Sequence, residues 1–333
     1  MSDGSTGDAA AAPRPRLPDF FIVGHQKCGT TALYEMLRAH PQIFLPDVKE
    51  PRYFTPDDPR RRRGAPAASR ARTRTLEAYL ALFADATAQQ LVGEASPQYL
   101  RLPDAAQRIA ELCPDARIIA ILREPVAFLR SFHLQMLTNN AENQKDLRKA
   151  VALEERRRQG KRIPRSCWQP ATLMYSEHVR YVEQLRSFEA CFSRERMLVL
   201  IYDDYRRDNQ QIIHAVERFL GVDEGPSIPS IDTAPNRDVR FAALHRLAWG
   251  ARRARLNPAS ARPLGRAVNA LTPAPLRGDA FRARWRQLVY REPRPPDERF
   301  QRELRRRFKP EVVALSEYLD RDLVALWGYD AID

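Results

Sequence analysis

The chain has 333 residues, enough to bury a full core, and its 44% hydrophobic content describes a globular protein. Lys and Arg number 55 against 42 Asp and Glu, and the resulting formal charge of +13 calls for anionic ligands, nucleic acid, an acidic surface or solubility as its reason. The four cysteines, Cys28, Cys113, Cys167 and Cys191, are scattered without a C-x-x-C pair, which gives no basis for a zinc site or a disulfide framework and fits a reducing cytoplasm.

Residues 1–17, rich in Ala, Gly, Ser, Asp and Pro, lack the basic start and apolar core of a signal peptide and are expected to form a disordered tail. "FFIVG" at 20–24 is an apolar run closed by glycine, and "TTALYEMLRAH" then sets Ala32, Leu33, Met36 and Leu37 at helical spacing, so this stretch reads strand, loop, helix. Residues 55–75, dense in Arg and Pro, read as a mobile insert. "LVGEA" at 91–95 and "ARIIAILRE" at 116–124 are expected to be buried strands, the second preceded by a helix, "DAAQRIAEL", and followed by Pro125 at a helix start. "RMLVLIYDD" at 196–204 supplies a fourth strand. After 235 only helices are expected, among them "VRFAALHRLAWGARRA" and "PEVVALSEYLDRDLVALW". Strands alternating with amphipathic helices predict an α/β fold over 18–333: a P-loop-like, three-layer domain with a central parallel sheet flanked by helices, plus a C-terminal helical layer over 235–333. Its ligand site lies beyond the carboxyl ends of the strands. No stretch approaches the ~18 apolar residues of a membrane span, so a soluble, cytoplasmic protein is expected.

The loop after the first strand carries the chemistry. Gly24 and Gly29 keep the spacing of a Walker A loop, yet Thr30 and Thr31 follow where Lys-Ser/Thr would stand, and the only lysine, Lys27, sits inside the loop. A strand-to-helix loop aims backbone N–H groups at an anion, and the helix terminus adds partial positive charge. An NTPase would also need a magnesium carboxylate at the end of a neighbouring strand. Here "IIAIL" is followed by Arg123-Glu124-Pro125. Glu124 is a metal ligand in principle, but the adjacent cation suits a second anionic group better, so the pair of motifs points to a metal-free donor with two separated phosphate positions.

"FIVGHQKCGTTAL" resembles the 5′-phosphosulfate loop of sulfotransferases that use 3′-phosphoadenosine 5′-phosphosulfate (PAPS), of bacterial type and nearest the carbohydrate and heparan sulfate branch. "LREPVAFLRSF" resembles that family's 3′-phosphate motif, and the resemblance runs from about Phe20 to Trp327, poorly over the middle insert and 223–295. It implies that Gln26, Lys27, Cys28, Gly29, Thr30 and Thr31 hold the 5′-phosphosulfate, that Arg123 and Ser131 hold the 3′-phosphate, and that PAP is the product. An internal lysine would then reach the bridging oxygen where charge grows as the sulfuryl group leaves. Because a sulfuryl group carries less charge than a phosphoryl group, no metal is required.

"VKEPRYF" at 48–54 places Glu50 where the family has its general base, and a partly desolvated Glu50 would serve best. Its competing reading is a surface carboxylate paired with Lys49 or Arg52. "GEASPQYL" resembles the substrate-side segment, with Glu94 and Tyr99 as candidate acceptor contacts, although Ala95 stands where glycan-acting relatives carry lysine. Glu94 is equally well an anchor of the strand end. His25 reads as a half-exposed loop residue, His133 as helix packing, and Arg291 or Arg294 as candidates for a third 3′-phosphate contact. The runs Arg60–Arg63, Arg156–Arg158 and Arg305–Arg307 read as solvated faces and form no nucleic-acid module.

Together these features predict a sulfotransferase acting on a hydroxyl or amine of a small-molecule or carbohydrate acceptor, without nucleic-acid or membrane partners and with its oligomeric state open. Two other readings stand beside it: a magnesium-dependent small-molecule kinase with a degenerate P-loop, and a non-catalytic basic nucleic-acid-binding protein.

Overall fold

Five apolar runs, β1 (Phe20–Gly24), β2 (Ile43–Phe44), β3 (Leu91–Ala95), β4 (Arg117–Leu122) and β5 (Met197–Ile201), pair into one parallel sheet of order β2-β3-β1-β4-β5. The structure, a computed structural model, describes residues 16–55, 75–226, 238–241, 243–245, 284, 287–293 and 295–332. β1 lies in the middle of the sheet with every residue buried, which is why its sequence is apolar without alternation. Phe20 faces Gly93 on one side and Arg117 on the other, and this register carries the ends of β1, β3 and β4 to a common edge.

Helices flank the sheet: α1 (Thr30–Arg38), α2 (Leu76–Leu80), α3 (Ala105–Leu112), α4 (Pro125–Thr138), α5 (Leu147–Ala152), α6 (Glu154–Arg158), α7 (Tyr181–Glu189), α8 (Tyr202–Arg207) and α9 (Asn209–Leu220). The expected three-layer, P-loop-like architecture is the one found. Two short elements escaped the sequence reading. β2 has only two residues, too few for a periodic signal. In the C-terminal part, where only helices were expected, β6 (Asp238–Val239) and β7 (Tyr290–Arg291) form an antiparallel ladder. Asp238 and Arg291 fasten it with an ion pair of 2.7 Å, a contact between residues far apart in the chain that no local pattern announces.

The closing helix, α10 (Glu298–Leu319), begins earlier than the "PEVV" signal and carries Pro310 within it; α11 (Leu323–Leu326) follows. Three polar contacts fix this layer to the carboxyl edge of the sheet. Trp327 Nε1 donates to Asp203 at 3.1 Å, Arg321 Nη2 to Asp204 at 2.8 Å, and the Tyr329 hydroxyl to Glu124 at 2.6 Å.

The run Arg156–Arg158 is not simply a solvated face. Arg157 is buried and meets Glu142 at 2.8 Å, while Tyr175 donates to the same carboxylate at 3.0 Å. The rest of that reading holds for Arg158, which is exposed. Residues 1–15 of the predicted tail, 56–74 of the predicted insert, Arg60–Arg63, Arg294 and most of the predicted helix at 239–254 lie outside the described residues. Among the described residues no helix is long and apolar enough to cross a membrane.

Candidate active site

The loop between β1 and α1 turns on two left-handed glycines. A Cβ at Gly24 (φ 127°) would lie 2.4 Å from the Ile121 carbonyl oxygen, and one at Gly29 (φ 90°) would lie 2.9 Å from the Tyr202 ring, so β4 and α8 press the loop from outside. Lys27 adopts φ 72° without being glycine, a conformation that costs about 1–2 kcal/mol and persists only where its surroundings impose it. No side chain caps the start of α1, and no acidic residue stands in its first turn. The N–H groups at Thr30 and Thr31 are thus left for an anion.

Arg123, the first residue past β4, closes the other side. Its Nη1 donates to the Lys27 carbonyl at 3.0 Å, its guanidinium lies 4.6 Å from the Tyr202 ring centroid, and its own carbonyl accepts from Tyr181 at 2.9 Å. Burial and then the Arg123 charge hold the Lys27 ammonium below its ordinary pKa. Two crowded cations and an uncapped helix terminus concentrate positive charge at this edge of the sheet. Sequence reasoning missed Tyr181 and Tyr202; position directly after β5 was the signal available for the second.

Glu124 is occupied elsewhere. Its carboxylate caps α4, accepting from Val126 N at 3.1 Å and Ala127 N at 2.5 Å, and also takes the Tyr329 hydroxyl. A carboxylate so engaged is a poor magnesium ligand, and no group of three or more His, Cys, Asp or Glu among the described residues converges to hold a metal. Ser131 lies buried on α4, two turns beyond the cap.

Glu50 stands on the segment that leaves β2 and docks on the end of β3, where its N–H donates to the Ala95 carbonyl at 3.1 Å. Glu50 (φ 56°) and Arg52 (φ 62°) both have left-handed backbone. The Glu50 carboxylate is ion-paired with Arg52 and lies 3.5 Å from Lys49 Nζ. Burial pushes its pKa up, but the Arg52 and Lys49 charges outweigh this and hold it below the ordinary value. The expected desolvated, strengthened base is therefore not the resting state, because two cations follow it into the same half-buried place.

Glu94 and Tyr99 are fully buried and stand behind this segment. The Glu94 carboxylate accepts from Tyr79 at 2.6 Å and Tyr99 at 3.3 Å, and burial raises it to about 7. The Tyr99 hydroxyl accepts from Phe54 N at 3.3 Å, and Ser96 Oγ accepts from Arg52 N at 3.3 Å. These contacts match the strand-anchor reading of Glu94.

A cavity of about 80 Å³ opens beside the β1–α1 loop, lined by Gln26, Arg52, Gln98, Arg101, Trp168 and His178 among others. Arg101 and Trp168 carry no local sequence signal. His25, expected half exposed, is buried: its Nε2 donates to Gln184 at 2.8 Å, and burial lowers it to about 3, so the ring is neutral packing. His133 packs as expected, bonded to the Gln144 carbonyl at 2.8 Å. Burial pushes the Cys28 thiol up to about 12, which keeps it protonated. Arg291 is engaged by Asp238 through Nε at 2.8 Å.

A parallel five-stranded sheet flanked by helices, with a glycine loop between β1 and α1 and an arginine directly after β4, defines a P-loop-like α/β fold. The family model described as "Sulfotransferase family" matches residues 18–226, and the chain belongs to that family. A sulfotransferase from Alicyclobacillus acidocaldarius is 30% identical with a TM-score of 0.55, the match covering 72% of this chain and 94% of that one. Carbohydrate sulfotransferase 15 of Mus musculus is 28% identical over 253 residues, which are 62% of this chain and 44% of the relative. Heparan sulfate glucosamine 3-O-sulfotransferase 6 of Homo sapiens is 32% identical over 130 residues, covering 39% and 34%. The chain spans less than half the length of these curated relatives.

Proposed function

We propose that the chain transfers the sulfuryl group of PAPS to a hydroxyl, or to an amine, of a carbohydrate or other small acceptor. The observation that carries this is the joined pair Lys27 and Arg123: a lysine inside the loop rather than at its end, tied by its carbonyl to the arginine that follows β4. The loop N–H groups from Gln26 to Thr31 cradle the 5′-phosphosulfate, and Arg123 with Ser131 holds the 3′-phosphate. ATP, which has a free 3′-hydroxyl, gains nothing from the second position.

Glu50 accepts the proton of the attacking hydroxyl as that oxygen's electron pair forms the new O–S bond. The bond from sulfur to the bridging oxygen breaks in line, and Lys27 stabilises the electron pair left on that oxygen. Glu94 and Tyr99 act behind the site, holding the segment that carries Glu50. The kinase alternative loses its metal ligand to the cap of α4.

Calorimetric titration with PAP, beside ADP and ATP without magnesium, tests the donor. Binding of PAP alone is expected; preference for ATP would return the chain to the kinase reading.

A further inference from the structure

The cavity beside the loop contains groups that the transfer reaction leaves unused. The Arg101 side chain has no hydrogen bond or ion pair among the described residues, and the acid whose charge reaches it, Glu177, is itself paired with Arg158 at 3.3 Å. Burial lowers its pKa to about 10, a sign of an uncompensated cation. His178 is 2% exposed and uses Nε2 on the Thr172 carbonyl at 3.1 Å, so its buried Nδ1 is an acceptor without a donor. Gln98 Oε1 is a second buried acceptor in the same state. A ligand bearing both an anion and hydroxyl groups would satisfy all three.

Arg52 lines this cavity and also pairs with Glu50, so one residue joins the cavity to that carboxylate. We propose that Arg52 makes turnover conditional on an anionic acceptor: a carboxylate or sulfate on the acceptor binds Arg52 and Arg101, and in drawing Arg52 off Glu50 it frees that carboxylate to take the proton of the attacking hydroxyl. The inference rests on the reading of Glu50 as the base. It removes the difficulty that the resting Glu50 is restrained by its neighbours. The charged groups around Glu50 are Arg52, Lys49 and, behind the segment, Glu94; only Arg52 also lines the cavity. Neutral acceptors would leave the ion pair in place.

Three probes of matched size test this: methyl glucuronide, methyl glucoside and galactose 6-sulfate, titrated into the protein with and without PAP. At least one acidic sugar should bind roughly tenfold or more tighter than the glucoside, and Arg101→Gln should remove the difference. Which acid binds better distinguishes carboxylate from sulfate. In protein labelled at glutamate carboxyl carbons, with Glu50→Gln for assignment, the Glu50 titration should move up when that acid is added. In Arg52→Gln it should start higher and no longer move, and Arg52→Lys should restore part of the response. Equal binding of the glucoside, binding of none of the probes, or an unmoved Glu50 titration each overturns the proposal. Failure of PAP to bind in the same titrations counts instead against the donor reading, because the sugars are also measured without nucleotide.

Discussion

Arg123 donates from Nη1 to the carbonyl of Lys27 at 3.0 Å, so two motifs 96 residues apart form one unit. The contact does more than place a cation. It pins the carbonyl of a residue whose backbone is left-handed, and so ties the conformation of the loop to β4.

Arg123→Ala should therefore weaken PAP binding by roughly ten- to a hundredfold, the loss of charge-assisted bonds worth about 1.5–3 kcal/mol. Arg123→Lys should recover part of it, since a point charge cannot both reach the phosphate and donate to the Lys27 carbonyl. Calorimetry with PAP measures both; an unchanged affinity in the alanine variant would remove Arg123 from the donor site.

Lys27→Ala and Glu50→Gln should each reduce kcat strongly, on the order of 10²–10³-fold for loss of a stabilising cation at the leaving oxygen and 10²–10⁴-fold for loss of a general base. The two differ in what they spare. Glu50→Gln leaves the loop untouched, so its affinity for PAP should match that of the unaltered chain. Steady-state rates with an acceptor found by screening, together with PAP titration, separate the two effects; near-normal turnover in Glu50→Gln would withdraw the base assignment.

Glu94 makes stability depend on pH in an unusual direction for a carboxylate. Its folded pKa, raised from 4.5 to about 7, means that between these values the folded chain holds a proton the unfolded chain has lost. Stability from this group is fully present below the unfolded value and declines as pH rises through about 7. The full shift corresponds to an order of 3 kcal/mol. Urea unfolding of Glu94→Gln against the unaltered chain should show the gap between them change across this window; parallel curves would mean that Glu94 is ionised in the fold.

Arg157 and Glu142 present a different case, an ion pair whose two side chains are fully buried. Removing one partner leaves a charge without compensation, and Arg157→Ala should cost about 3–5 kcal/mol in urea unfolding. Replacing both, as in Arg157→Met with Glu142→Leu, should cost markedly less. Loss of activity in excess of the loss of folded protein would show that this pair also shapes the cavity wall that includes Trp168 and Thr172.

Much of the fold was legible because the periods are local. β1, β3, β4 and β5 are apolar runs closed by Gly, Ser, Arg and Tyr, and the helices between them repeat at helical spacing. The elements of the proposed donor site were legible for the same reason: Gly24, Lys27, Gly29 and Thr30 sit within one loop, and Arg123 follows its strand directly. β2 and the β6–β7 ladder were not, since two residues carry no period and their partners are remote.

The sequence by itself determined the family and the fold class, because the apolar strand, the glycine loop and the helix that follows it are patterns local to the chain. Only the tertiary structure decided the charge environment of Glu50 and the shape of the cavity beside the loop. Glu50 is restrained because Arg52 and Lys49 pair with it, and the cavity exists because residues as far apart in the chain as His25 and His178 converge around it. Charge and burial depend on neighbours brought together across the chain, and spacing along the chain does not record them.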